Sequence, residues 1–157
     1  MSPGEVNLKL VGERLGYFQS RLEDLRSLPL KSLAEFSSDP RNPAAAESFL
    51  RRAIEGLLDT ARHLLAKAHG LGTMEYRQVA RQAGERGLIK DGQLAARFER
   101  IAGFRNRLTH FYDEVTPREL FELLAHHLSD LEVIAQELRH SAAELSRKGH
   151  RYQWPPG

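Results

Sequence analysis

An all-α fold, an up-down bundle of four long helices plus a short fifth, is predicted by three features of this sequence. Apolar residues recur in alternating steps of three and four over most of the chain, the period of an amphipathic helix. No run alternates apolar and polar residues for long enough to make a strand. Proline, glycine and one capping box punctuate the apolar stripes. The length of 157 residues suits a single domain. A chain of that size buries roughly 70% of the surface it exposes when unfolded, so it needs no staples.

The first helix carries the stripe Leu8, Val11, Leu15, Phe18, Leu22 and Leu25, and Pro29 helps to end it. Pro29 to Pro43, with Ser37, Ser38, Asp39 and Asn42, reads as a connecting loop. Asn42 is placed to cap the second helix, with Pro43 in its first turn. Its stripe is Leu50, Ile54, Leu57, Ala61, Leu64 and Ala68, and Gly70 and Gly72 terminate it. A short helix over about 74–84 precedes Gly84 and Gly87. Leu94, Phe98 and Ile101 open a fourth helix that runs toward residue 111.

Thr116-Pro117-Arg118-Glu119 is a capping box with Pro at the first helical position. The helix it starts has the stripe Leu120, Leu124, Leu128, Leu131, Ala135, Leu138, Ala142 and Leu145. Residues 1–146 are thus assigned to the bundle. Residues 147–157, RKGHRYQWPPG, have no periodicity and read as a flexible basic tail.

Composition narrows the function classes. The absence of Cys excludes a disulfide scaffold, a thiol nucleophile and a thiolate metal site, and it fits a reducing compartment. No window is apolar enough to span a membrane, and charges interrupt the N-terminal apolar stretch. A cytoplasmic protein without a membrane partner is therefore expected. The net charge of +2 says little, but its distribution says more. Residues 77–107 hold eight basic side chains (Arg77, Arg81, Arg86, Lys90, Arg97, Arg100, Arg105 and Arg107) against Glu85, Asp91 and Glu99, a local excess of +5. Such a segment can steer a polyanion, or it can be a solvated face of ordinary ion pairs.

The fourth helix breaks its own pattern. Extending Leu94, Phe98 and Ile101 by four and three lands on Arg105, Leu108 and Tyr112. An Arg in phase with a core stripe is costly unless it is paired or opens onto a cleft. His110 follows five residues later, about 140° around a regular helix. The two can converge at the helix end or across two chains; otherwise Arg105 snorkels and His110 is a surface residue.

The string Gly103-Phe104-Arg105-Asn106-Arg107-Leu108-Thr109-His110-Phe111-Tyr112 resembles the signature of the HEPN superfamily. It is most similar to the HepT branch, whose pattern is Arg, four residues, His, one residue, Tyr. Arg105, His110 and Tyr112 fill the three positions, and Asn106 matches the polar residue that follows the Arg. A helical pattern with Ala53-Ile54-Glu55 and Asp59 lies upstream, so the resemblance covers roughly residues 5–145.

The resemblance implies a metal-independent endoribonuclease, with no cofactor, that acts as the toxin of a toxin–antitoxin pair. The implied partners are RNA (tRNA or mRNA), a small nucleotidyltransferase antitoxin and a second copy of the chain, as a homodimer or higher even oligomer. Arg105 and His110 would be catalytic and Asn106 supporting. Arg suits phosphate because its fork makes two parallel hydrogen bonds and stays charged. Histidine, with an ordinary pKa near 6.5, can take a proton from a ribose 2′-OH or give one to the leaving oxygen. Tyr112 would receive AMP from the partner, and the added bulk and negative charge would repel RNA. As a plain residue it packs its ring on the core with its OH at the rim.

Other candidates carry less. His126 and His127 are adjacent and face apart, His63 and His69 diverge, and no His-Glu-x-x-His run exists. Glu55 and Asp59 can orient Arg105 or simply pair with Arg51, Arg52 or Arg62. Arg151, Tyr152 and Trp154 can stack on RNA bases or belong to a disordered end. Two further readings stay open: a non-catalytic subunit that presents substrates to a nucleotidyltransferase, and a plain dimeric interaction module.

Overall fold

The computed structural model describes residues 4–110 and 114–151, with side chains as far as Lys148. They form seven helices: α1 (Leu8–Arg26), α2 (Leu33–Ser37), α3 (Arg41–His69), α4 (Tyr76–Glu85), α5 (Gly92–Thr109), α6 (Pro117–His126) and α7 (Leu128–Arg151). No strand occurs among the described residues. The all-α expectation holds, and α1, α3, α5 and α7 are the longest elements.

The helix count differs from the sequence expectation in two places. Part of the segment read as loop is helical, because Ser32 Oγ accepts from the Glu35 N–H at 3.1 Å and starts α2. Phe36 is then fully buried, its ring 6.0 Å from that of Phe121. The last expected helix is two, since α6 ends at His126 and α7 begins at Leu128. Leu120, Leu124, Leu128 and Leu131 are nonetheless all buried, so the interruption keeps the stripe in phase.

Three smaller points also differ. α3 starts at Arg41, where the Asp39 carboxylate accepts the Arg41 N–H at 2.9 Å. Asn42 lies inside that helix and donates to the Phe36 carbonyl instead of capping. Leu8, the first residue of the α1 stripe, is 48% exposed. α7 continues to Arg151, and residues 152–157, with Tyr152 and Trp154, lie outside the described residues.

α3 is the hub, in contact with every other helix. That position explains why it buries Leu58 and Leu65 in addition to the single stripe of Leu50, Ile54, Leu57, Ala61 and Leu64. α1 lies antiparallel beside it: the Gly4 N–H reaches the Lys67 carbonyl at 2.9 Å and the Asn7 N–H reaches His63 Nε2 at 3.0 Å. Burial, with Lys67 and Arg14 nearby, pushes the His63 imidazole below its ordinary value, which suits an accepting nitrogen. Gly70, at φ 66°, closes α3 with left-handed backbone.

α4 and α5 form an antiparallel hairpin, tied by Arg81 to Glu99 at 2.8 Å. Buried Ser141 of α7 donates to the Leu88 carbonyl at 2.7 Å and holds the turn between them. The two helices approach closely at Gly84, where an added Cβ would stand 2.8 Å from Ala95 Cβ. Gly84→Ala is therefore expected to destabilise the protein by about 1–2 kcal/mol. Overpacking costs about 1–3 kcal/mol, and alanine's helix preference returns at most about 1 kcal/mol. Urea denaturation checks this, and a gain in stability would mean the two helices are not so closely apposed.

Candidate functional site

α5 buries Leu94, Phe98 and Ala102, and Arg105 follows on that same inward face. Its side chain is only 22% exposed. Glu55 of α3 meets it, Oε1 accepting from Nε at 3.1 Å and from Nη2 at 2.8 Å. The same carboxylate accepts from Arg51 Nη1 at 2.9 Å. Arg105 Nη1 donates to Asn106 Oδ1 at 3.3 Å. These bonds use three of the guanidinium's five N–H groups and leave two for a ligand. The residue that interrupts the apolar stripe is thus both paired and at the edge of a cavity.

Tyr76, the first residue of α4, organises the next layer. Its ring centroid lies 4.6 Å from the guanidinium carbon of Arg105 and 4.6 Å from that of Arg62. Its hydroxyl donates to Asp59 Oδ1 at 2.7 Å. Burial, reinforced by that bond to Asp59, pushes the phenol up to about 12. Tyr76 is therefore a protonated donor at neutral pH and no base. Asp59 also faces Arg14 at 3.5 Å and Arg62 at 3.8 Å. The two roles weighed for the carboxylates of α3 coexist: Glu55 holds both Arg105 and Arg51, and Asp59 serves Tyr76 between two arginines.

His110 is the C-cap of α5. Its N–H bonds the Arg107 carbonyl at 3.2 Å, and its backbone is already extended, at φ −102° and ψ 103°. Leaving helical geometry at that residue removes the angular separation that a regular helix would impose. Arg105, Asn106 and His110 border one cavity of about 430 Å³ with Arg62, Glu75 and Tyr76. Tyr112 lies outside the described residues. Arg62 and Tyr76 were not singled out by sequence reasoning as members of this site.

The basic segment is largely neutralised in space. Lys90 pairs with Glu144, Arg97 with Asp130, Arg105 with Glu55 and Arg107 with Glu119, all carboxylates from outside the segment. No group of three or more metal-ligating side chains occurs among the described residues. His126 faces Glu122 and His127 faces Asp130, each at 3.6 Å. A larger cavity of about 540 Å³, floored by Ile101, Phe104 and Leu123, lies on another face of α5 and contains none of Arg105, Asn106 and His110. No helix among the described residues is long and apolar enough to cross a membrane.

Solved structures share this architecture. A toxin–antitoxin crystal structure with AMP-PNP superposes with a TM-score of 0.73 at 17% identity, over 82% of this chain and 97% of that one. A tri-AMPylated Shewanella oneidensis HEPN toxin in complex with MNT antitoxin gives 0.75 at 18% identity, over 83% and 97%. At such identities the likeness speaks for the fold. No curated protein matches the sequence. The family model described as Ribonuclease HepT-like matches residues 18–138, from α1 into α7 and across the whole Arg105–His110 cavity. The chain belongs to the HepT-like ribonuclease family.

Proposed function

We propose that this protein is the toxin of a HEPN/nucleotidyltransferase toxin–antitoxin pair and cuts RNA without a metal, through Arg105 and His110. The observation that carries this reading is the shared cavity: a guanidinium with two unused N–H groups and an imidazole border the same space. A phosphate seated against that guanidinium is gripped by charge-assisted hydrogen bonds that strengthen as negative charge builds on its oxygens. The adjacent ribose 2′-OH attacks phosphorus, its proton passing to a base, while the P–O5′ bond breaks and the 5′ oxygen takes up a proton. The products are a 2′,3′-cyclic phosphate and a 5′-hydroxyl. One imidazole can serve one of those transfers at a time. The family resemblance implies a homodimer, and a second copy of the chain that brings its own His110 to the cleft would supply the other. Asn106 supports Arg105 through the bond to Nη1.

The same reading gives Tyr112 its role as acceptor of AMP from the antitoxin. Modification two residues from His110 adds negative charge where an RNA phosphate must enter. The AMPylated state of the Shewanella neighbour, in complex with its antitoxin, supports the chemistry.

The test is a matched pair of RNA strands, one with the 2′-OH at the cleavage site and one without it. The first is expected to be cut in the presence of a chelator, yielding the cyclic phosphate, and the second to stay intact. Cleavage of the deoxy strand, or a requirement for divalent metal, would refute the mechanism. Failure to cut any RNA would leave the non-catalytic partner of a nucleotidyltransferase as the better reading.

A further inference from the structure

We propose that Arg62 is a second phosphate-binding residue of the Arg105–His110 cavity, so that the site grips two successive phosphates of an RNA strand. The inference rests on the RNA-binding reading above and adds a residue and a minimum substrate to it.

Arg62 and Arg105 differ in how their donors are used. Arg105 spends three N–H groups on Glu55 and Asn106. The Arg62 side chain makes no hydrogen bond among the described residues. Its nearest carboxylate oxygen, on Asp59, is 3.8 Å away. Asp59 gives its short bond, at 2.7 Å, to the Tyr76 hydroxyl instead. Arg62 Nε is buried without an acceptor, which leaves the terminal nitrogens as the part of the fork that a ligand can reach. The side chain is 37% exposed and lines the cavity, so a guanidinium with unused donors faces the space where RNA is to bind.

Its position is fixed even though its hydrogen-bonding capacity is not used. Both guanidinium carbons lie 4.6 Å from the centroid of one ring, so the two cations stand no more than about 9 Å apart. Holding like charges that close requires compensation. It comes from the π face of Tyr76 and from the carboxylates of Glu55 and Asp59 on the adjoining turn of α3. Tyr76, kept protonated and anchored to Asp59, is the spacer that sets the separation. A single phosphate needs only one fork. Two forks on one spacer match a chain of phosphates, because Glu55 and Asp59 are shared with Arg51 and Arg14; Glu75 also lines the cavity.

The experiment measures binding of a short RNA made uncleavable by a 2′-deoxy sugar at the cut site, to wild type and to Arg62→Gln, across a range of salt. In wild type, replacing the charged phosphate by a neutral methylphosphonate should weaken binding at two adjoining positions, the scissile one and one neighbour. In Arg62→Gln the affinity should already be lower, and the neighbour's replacement should cost nothing further. The slope of log affinity against log salt should fall by about 0.7, the share of one phosphate on a single strand. Arg62→Lys, which keeps the charge, should keep the slope. A merely structural role for Arg62 would move none of these ligand-specific readouts.

An unchanged slope in Arg62→Gln, with the neighbouring phosphate still sensitive, would overturn the inference and leave the proposed nuclease intact. If Arg62→Gln does not fold, the methylphosphonate scan of wild type decides alone, since only one sensitive position would refute a two-phosphate grip. Wild type that binds no RNA would instead remove the reading on which the inference rests.

Discussion

His110→Ala is expected to lower the rate of RNA cleavage by about 10²–10⁴-fold, the span that a positioned acid or base contributes. The fold should scarcely register the change. His110 is exposed at the end of α5, outside the packed core, so its truncation leaves no cavity. Arg105→Ala should be at least as damaging to cleavage, but it also strips Glu55 of a partner inside a site where both side chains are about one-fifth exposed. His110 is therefore the cleaner probe. Arg105→Lys separates charge from shape. An ammonium keeps the positive charge but cannot offer one edge to Glu55 and another to a phosphate, so it should rescue little. The measurement is single-turnover cleavage of a labelled RNA alongside thermal unfolding of each variant. Equal rates for wild type and His110→Ala would end the assignment of the imidazole to chemistry.

Much of this molecule could be read from its sequence wherever the determining interactions are local. The stripes of α1, α3, α5 and α7 and the cap at Thr116 needed only neighbouring residues, and Thr116 Oγ1 does accept the Glu119 N–H at 3.2 Å. The α2 turn had a visible signal too, Ser32 three residues before Glu35, hidden among prolines that suggested a loop. The break at His127 had none, because no Gly or Pro marks it and the stripe passes through in phase. Charge left two readings open for a different reason. An excess counted along the chain ignores carboxylates such as Glu55, Glu119, Asp130 and Glu144 that folding brings from elsewhere. The same limit applies at the site. Arg105, Asn106 and His110 sit within six consecutive positions and show as a motif. Tyr76 and Arg62 belong to the site only because α4 folds against α3 and α5, and no spacing in the sequence encodes that meeting.

The largest effect on stability is expected from Phe98→Ala. Phe98 is among the largest side chains with no exposed surface, on the face of α5 that continues to Ala102 and Arg105. Truncating a buried Phe costs about 3–5 kcal/mol through lost transfer energy and the cavity left behind. Whole domains are stable by only about 5–15 kcal/mol, so the variant should remain folded with a much lower urea midpoint. The slope of its transition should match wild type, since the surface exposed on unfolding is nearly the same. Phe98→Leu, which refills most of the space, should fall between the two. The Arg105–Glu55 pair lies about two turns along α5 and ties that helix to α3 independently of the ring. Below its unfolding transition Phe98→Ala should therefore still cut RNA, the reverse of His110→Ala, which should keep its stability and lose its activity. A stability loss under about 1 kcal/mol would mean that α5 is not seated in the core at this point. Normal stability with lost cleavage would instead place Phe98 in the site's own machinery.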